Sequence, residues 1–223
     1  MPKSKRSKIV SLTNVKPHQK EIKEKSMNKL EANFKKFNNI VLIDMKNLTA
    51  ENQKAMANEL PGVLIFAKKT IMRVFFKSQL TKYPELEQFI ETLEDPNKKE
   101  VCLLMTNSPT NAVVETLKTL NKPEFAHPGT SATGTVVLTA GDQVFQSLST
   151  SNDSYLRTLG LFVTVQNGYL YLQENFVAAE KNKPVSIVQS KVLKMLGIKA
   201  GTFQASASII FDKSLGTIQK RKD

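Results

Sequence analysis

Three short, uninterrupted apolar runs recur between segments of helical period: Ile40 to Ile43, Val63 to Phe66, and Val101 to Met105. A run of this kind, without polar alternation, reads as a strand covered on both faces, which requires helices packed on each side of one sheet. The intervening segments supply them. Between Pro17 and Phe37, the residues Ile22, Met27, Leu30, Phe34 and Phe37 fall near helical spacing with lysines on the other face, and Pro17 suits a first helical position. Thr49 caps a segment that runs to Leu60 and that Pro61-Gly62 stops. Lys68 to Leu80 is another helix, Tyr83-Pro84 opens one to about Leu93, and Ser108-Pro109 starts one that ends at Leu120. The alternation predicts an α/β layer as far as residue 125.

At Phe125 to Gly129 the character changes: charge falls away and Ser, Thr, Gly and β-branched residues dominate. Val136 to Leu138 and Val144-Phe145 read as extended, and Phe162 to Val165 and Tyr169 to Leu172 flank Asn167-Gly168, a tight-hairpin signal. After Lys183-Pro184 the first style returns. Ser186 caps a helix whose Ile187, Val188, Val192, Leu193, Met195 and Leu196 face a core, Gly197 ends it, and Phe203 to Phe211 alternates as a strand. The predicted class is α/β (α+β): a discontinuous domain over 16–125 plus 185–212, with a small β-rich domain, 126–184, inserted in it. A basic arm, 1–15, precedes this unit and a basic tail, 213–223, follows it.

The charge is segregated. Of a net +12, residues 1–40 hold 11 Lys/Arg against 3 acids and residues 185–223 hold 7 against 2, whereas 126–184 hold 3 against 4. Solubility needs no such separation, and binding a polyanion does. No apolar stretch approaches the roughly 20 residues of a membrane span. The basic N-terminus has no apolar segment behind it, so secretion is not expected. A single cysteine, Cys102, excludes an internal disulfide framework and a multi-cysteine zinc site, and points to a reducing compartment, cytosol or nucleus.

Catalysis finds little support. His18 and His127 stand apart from any nucleophile or ligand set, and Cys102 sits in an apolar run as a small core residue. Pro128 to Gly134 lacks the Gly-Lys-Ser/Thr ending of a phosphate loop, and Glu85, Glu87, Glu91, Glu94 and Asp95 read as a solvated helix face. The sharper feature is Phe66 to Arg73, which leaves a buried strand and opens a helix. Helix N-terminal amides, Lys68, Lys69 and the Thr70 hydroxyl would together form a phosphate site, and Arg73 and Lys77 extend the stripe. An ordinary solvated turn is the alternative.

These residues carry a resemblance. Ala67-Lys68-Lys69-Thr70-Ile71-Met72-Arg73 resembles the Gly-Lys-Asn-Thr-x-Met-Arg element of the large-subunit stalk-base protein family, with Ala67 and Lys69 in place of the family's Gly and Asn. Val101 to Thr106, the hinge-like Ala126-His127-Pro128-Gly129, Leu156 to Gly160, the Asn-Gly hairpin, Val192 to Ile198 and Phe211-Asp212 follow in the family's order. The opening Met1 to Lys8, then Val10 to Thr13, is similar to the start of the family's ribosome-assembly paralogue. The chain stops at Lys220 to Asp223 without the stalk-docking helices and acidic tail of a resident stalk-base protein. The resemblance implies an rRNA-binding assembly factor that holds the stalk-base site, the future GTPase-associated centre, on pre-60S particles in the nucleolus and nucleus, reaching the cytoplasm on late precursors. The alternative is a truncated resident stalk-base protein. The expected partners are stalk-base rRNA, the pre-60S particle and neighbouring ribosomal proteins, with no membrane, stalk dimers, cofactor, metal or catalysis. The expected RNA contacts are Lys3, Lys5, Arg6, Lys8, Lys46, Lys68, Lys69, Thr70, Arg73 and Lys77.

Overall fold

A computed structural model describes residues 17–96, 98, 100–141 and 148–221, and the side chains from residue 20 onward. The arm, 1–15, and the Val144-Phe145 extension lie outside the described residues. The first half builds α1 (Pro17–Lys36), β1 (Asn39–Lys46), α2 (Ala50–Glu59), β2 (Val63–Ile65), α3 (Lys69–Gln79), a 3-10 turn at Pro84–Leu86, α4 (Glu87–Glu94), β3 (Glu100–Thr106), α5 (Thr110–Thr119) and β4 (Lys122–Glu124). Then come β5 (Val136–Leu138), α6 (Asp153–Thr158), β6 (Val163–Gln166), β7 (Tyr169–Leu172), β8 (Phe176–Ala179) and α7 (Ile187–Met195), followed by β9 (Gly201–Asp212) and β10 (Thr217–Lys220).

The main sheet runs β10-β9-β1-β3-β2, with β4 also on β9, and every neighbouring pair is antiparallel. Since β1 and β2 each oppose β3, they run parallel to one another with β3 between them, a split βαβ arrangement. Burial on both faces therefore comes without parallel neighbours. On one face Ile40, Leu42, Leu103, Met105 and Phe211 pack with Leu30 and Phe34 of α1, Phe75 and Phe76 of α3, and Phe89 of α4. On the other, Val41, Ile43, Leu104 and Ile210 pack with Met56 of α2 and Val113 of α5. Cys102 is wholly buried there, and burial pushes its thiol far above the ordinary range.

β9 reaches both faces through a bulge. Ile43 pairs with Ala207 but Leu42 with Ile209, so Ser208 is the extra residue. Strict alternation would put Ile209 on the Phe203 and Ala205 side. The bulge moves it into the aromatic core with Phe211 and leaves Ile210 to the opposite core. Helix starts follow local chemistry: Thr49 accepts from the Asn52 N–H, and Ser186 and Gln189 form a reciprocal capping box. Ser108 departs from its expected role. Pro109 occupies the cap position of α5, while the Ser108 N–H donates to Thr106 Oγ1 and its carbonyl accepts from Asn39 Nδ2.

Two stretches differ from the sequence expectation. The helix after Ser186 was expected on the first domain, but Val192 and Leu193 of α7 are buried with Leu138, Leu156, Leu170 and Ala178 in the insert's own core. Its first residue, Ile187, expected to face a core, is 63% exposed. Helical period identifies an apolar face and not what covers it; α7 follows β8 closely and packs back on it, with Gln189 Nε2 donating to the Val177 carbonyl at 2.9 Å. The supposed tail is also structured, because β10 closes a hairpin onto β9. There Asp212 Oδ1 accepts from the Ser214 hydroxyl and from the Ser214 and Leu215 amides, and the Ser214 hydroxyl leads in holding its carboxyl below the usual range.

Glu124 ties α2 to the point where the chain leaves this layer. Burial favours its protonated form, but hydrogen bonds from the Phe125 N–H (3.0 Å) and Asn52 Nδ2 (2.9 Å), with Lys199 and Lys122 nearby, prevail and lower its pKa. A depressed pKa contributes stability above the ordinary glutamate range that is lost as pH falls through the folded value. Glu124→Gln is therefore expected to cost about 1–2 kcal/mol at pH 7 and distinctly less near pH 4. Urea unfolding at the two pH values checks this, and an equal loss at both would assign the effect to shape alone.

Candidate nucleic-acid interface

The parallel course of β1 and β2 sets their C-terminal ends at one end of the sheet, with β3 beginning between them. Lys46 ends β1 and is exposed; Lys68 lies just beyond β2, also exposed. Two strand spacings, about 10 Å, separate their strands. Thus two cations from distant parts of the sequence share one end of the fold.

Lys68 is the N-cap residue of α3 and supplies no side-chain cap. The amides of Ile71 and Met72 turn back to its carbonyl, at 2.9 and 3.1 Å. By helix geometry the first amides, those of Lys69 and Thr70, point outward from the helix end. Thr70 and Lys77 are exposed. Lys69, expected beside them as a second free cation, is half-buried instead: its Nζ donates to the carbonyls of Lys98 and, at 3.4 Å, Asp95. It fastens the loop before β3 to the start of α3. Arg73 is half-buried with its Nε 3.5 Å from Glu94, so two of the predicted stripe already have partners within the protein. The face of α4 is accordingly only in part a solvated acid face, since Glu91 also lies 3.4 Å from Lys220.

The structure adds residues that the sequence reading left out. Lys98 Nζ donates to Ser208 Oγ at 2.5 Å, and the Arg221 N–H donates to the Ser208 carbonyl at 3.0 Å. The loop that receives Lys69 is thereby joined to β10, which carries Lys220. The excess of cations after residue 185 was the available signal; their meeting with the β3 loop depends on the β9–β10 hairpin. Lys3, Lys5, Arg6 and Lys8 lie outside the described residues, as does the His18 side chain.

Beyond Lys46 a cleft of about 510 Å³ opens between the sheet and the hinge to the insert, lined by Lys46, Asn47, His127, Thr130 and Thr202 among others. Asn47 closes its floor with φ of 57°: its Nδ2 donates to the Thr202 carbonyl at 2.9 Å and its Oδ1 accepts from the His127 N–H at 3.1 Å. Ser190 Oγ donates to the Ala126 carbonyl at 2.7 Å. The hinge is thus hydrogen-bonded on both sides. Among the described residues no group of three or more His, Cys, Asp or Glu could hold a metal, and no helix is long and apolar enough to cross a membrane.

Residues 18–122 match the family described as ribosomal protein L10, and residues 126–198 match the insertion domain of that family's 60S members. The second match ends beyond α7, in agreement with the helix's packing. Ribosome assembly factor mrt4 of Dictyostelium discoideum is 27% identical across 92% of this chain and 90% of its own length. The proteins of the same name are 25% identical in Schizosaccharomyces pombe, across 98% of this chain and 95% of their own, and 21% in Saccharomyces cerevisiae, across 98% and 97%. With both parts of the family matched in order, and assembly-factor relatives aligned over nearly their full lengths, the chain belongs to the ribosomal protein L10 family, among the members that carry the inserted domain.

Proposed function

We propose that this protein is a non-enzymatic ribosome-assembly factor that binds stalk-base rRNA on the pre-60S particle and keeps that site for the stalk-base ribosomal protein. The assembly-factor relatives that align over nearly the whole chain carry this reading most directly. The segregated positive charge and the exposed Lys46, Lys68, Thr70 and Lys77 supply the physical means. Folded RNA is recognised largely through its phosphates, 2′-hydroxyls and shape, and helix-end amides flanked by exposed cations suit that task without a cofactor. The nucleolus and nucleus follow as the sites of action, with the basic arm as a further RNA contact.

A salt titration on an isolated stalk-base rRNA fragment tests the site. Lys68→Ala with Lys77→Ala removes two exposed cations, and each lost phosphate contact should flatten the log–log salt slope by roughly 0.7–0.9. Lys69→Ala should instead act mainly on stability, because its ammonium is committed to the Asp95 and Lys98 carbonyls. An unchanged slope in the double variant would remove α3 from the interface. Fractionation supplies the second arm: the protein is expected on nuclear precursor particles and absent from translating ribosomes.

A further inference from the structure

Seven of the eleven exposed large apolar side chains of the described residues lie between Val137 and Ile187. The β6–β7 hairpin orders several of them. Thr164 pairs with Tyr171 and Gln166 with Tyr169, and the Gln173 N–H donates to the Phe162 carbonyl at 2.8 Å, continuing the ladder. Alternation therefore sets Phe162, Thr164 and Gln166 on one face with Tyr169, Tyr171 and Gln173. The opposite face places Val163, Leu170 and Leu172 in the insert core. Phe162 is 60% and Tyr169 47% exposed, with half-buried Tyr171 between them on the diagonal. Among the described residues this hairpin is a two-stranded sheet of its own.

Charge decides what such a face suits. No residue from Thr158 to Gln173 is charged. Surfaces that hold single-stranded RNA combine stacking rings with a cationic track; here the hairpin itself carries no cation, and Arg157, whose Nη2 donates to the Val163 carbonyl at 2.8 Å, is already paired with Asp153. Uncharged aromatic surface is instead the composition of a protein–protein contact core. Three aromatic side chains of about 150–250 Å² each, only partly exposed, fall short of the roughly 800 Å² per partner of a self-sufficient interface. That argues against a stable dimer of this chain and for a second foothold on an assembly gripped elsewhere. We infer that the outer face of the β6–β7 hairpin docks an uncharged, apolar patch of a protein component of the pre-60S particle. The insert anchors to protein while the first domain anchors to RNA. This inference rests on the ribosome-assembly reading above.

The test uses full-length protein carrying Phe162→Ser with Tyr169→Ser, and separately Thr164→Lys, which keeps all three rings and charges the middle of the face. Binding is measured to the isolated stalk-base rRNA fragment and to salt-washed pre-60S particles stripped of this protein. The serine pair should bind particles about tenfold more weakly, with RNA affinity and melting temperature unchanged. Thr164→Lys should also weaken particle binding. Equal losses on RNA and particles, an undiminished affinity of the serine pair for particles, or tighter particle binding by Thr164→Lys would each overturn the inference. Should the unaltered protein bind particles but not the RNA fragment, while the serine pair still loses the particle, the rRNA reading falls and the protein contact stands.

Discussion

Gly62→Ala is expected to cost about 3 kcal/mol or more, a large share of the stability of a domain this size. Gly62 has φ of +128°, a region that residues with a Cβ rarely adopt, and it connects α2 to the three-residue edge strand β2. A Cβ there would lie 2.4 Å from the Met105 carbonyl oxygen and 2.9 Å from the Thr106 Cβ. The obstacle is the backbone of β3, which is hydrogen-bonded on both sides and cannot step aside like a flexible side chain. Relief requires β2 to leave its register with β3, and that would shift Lys68 and the start of α3. The alanine variant should therefore lose both stability in urea and affinity for RNA. A midpoint within the error of the unaltered protein would mean that the tight approach is not made in solution.

Excision of the insert should leave a folded RNA-binding domain, provided that the cut follows the packing. Glu124 pairs with Gly201, and a Cβ on Gly201 would meet the Ala126 Cα at 3.0 Å, so the outgoing and returning chains touch. A Gly/Ser linker of a few residues between Phe125 and Ala200 spans that gap. This chain should melt in one cooperative transition and keep its affinity for the isolated rRNA. A join at Val185 would retain α7 without the core that buries Val192 and Leu193, and should aggregate. Residues 1–125 alone should show no cooperative transition, since β9 brings the buried Phe203, Ile209, Ile210 and Phe211 to the sheet. Cooperative melting of 1–125 would refute the split arrangement.

The elements were legible wherever local chemistry specifies them. Continuous apolar runs located β1 to β3; Thr49 and Ser186 marked helix starts through side-chain oxygens; Asn167 and Gly168, at φ of 50° and 80°, form the turn that their sequence announced. What escaped were relations between segments. The apolar face of α7 was evident, but its partner is chosen by the short return from β8. Thr217 to Lys220 becomes a strand only because β9 offers an edge. At the interface, Lys68 and Lys69 are equivalent in sequence, and a carbonyl 29 residues away separates their roles. The insert was marked by its loss of charge, its β-branched and Asn-Gly hairpin signals and the return of the first style after Pro184, and the resemblance to the stalk-base family agreed with that arrangement.

The ladder between β1 and β9 has a kinetic consequence. Asn39 pairs with Asp212 and Lys46 with Gln204, so this contact closes a loop containing most of the chain. Closure entropy rises with loop length, and topologies dominated by such distant pairings fold slowly. The insert buries a core of its own, so it can form while the sheet is still open. Once formed, it holds Ala126 beside Ala200 and reduces the effective length of the loop that β1 and β9 must close. The segment that interrupts the domain in sequence thus acts as an entropic clamp during its folding, leaving only residues 47–125, about half of the original loop, to be closed when β1 meets β9.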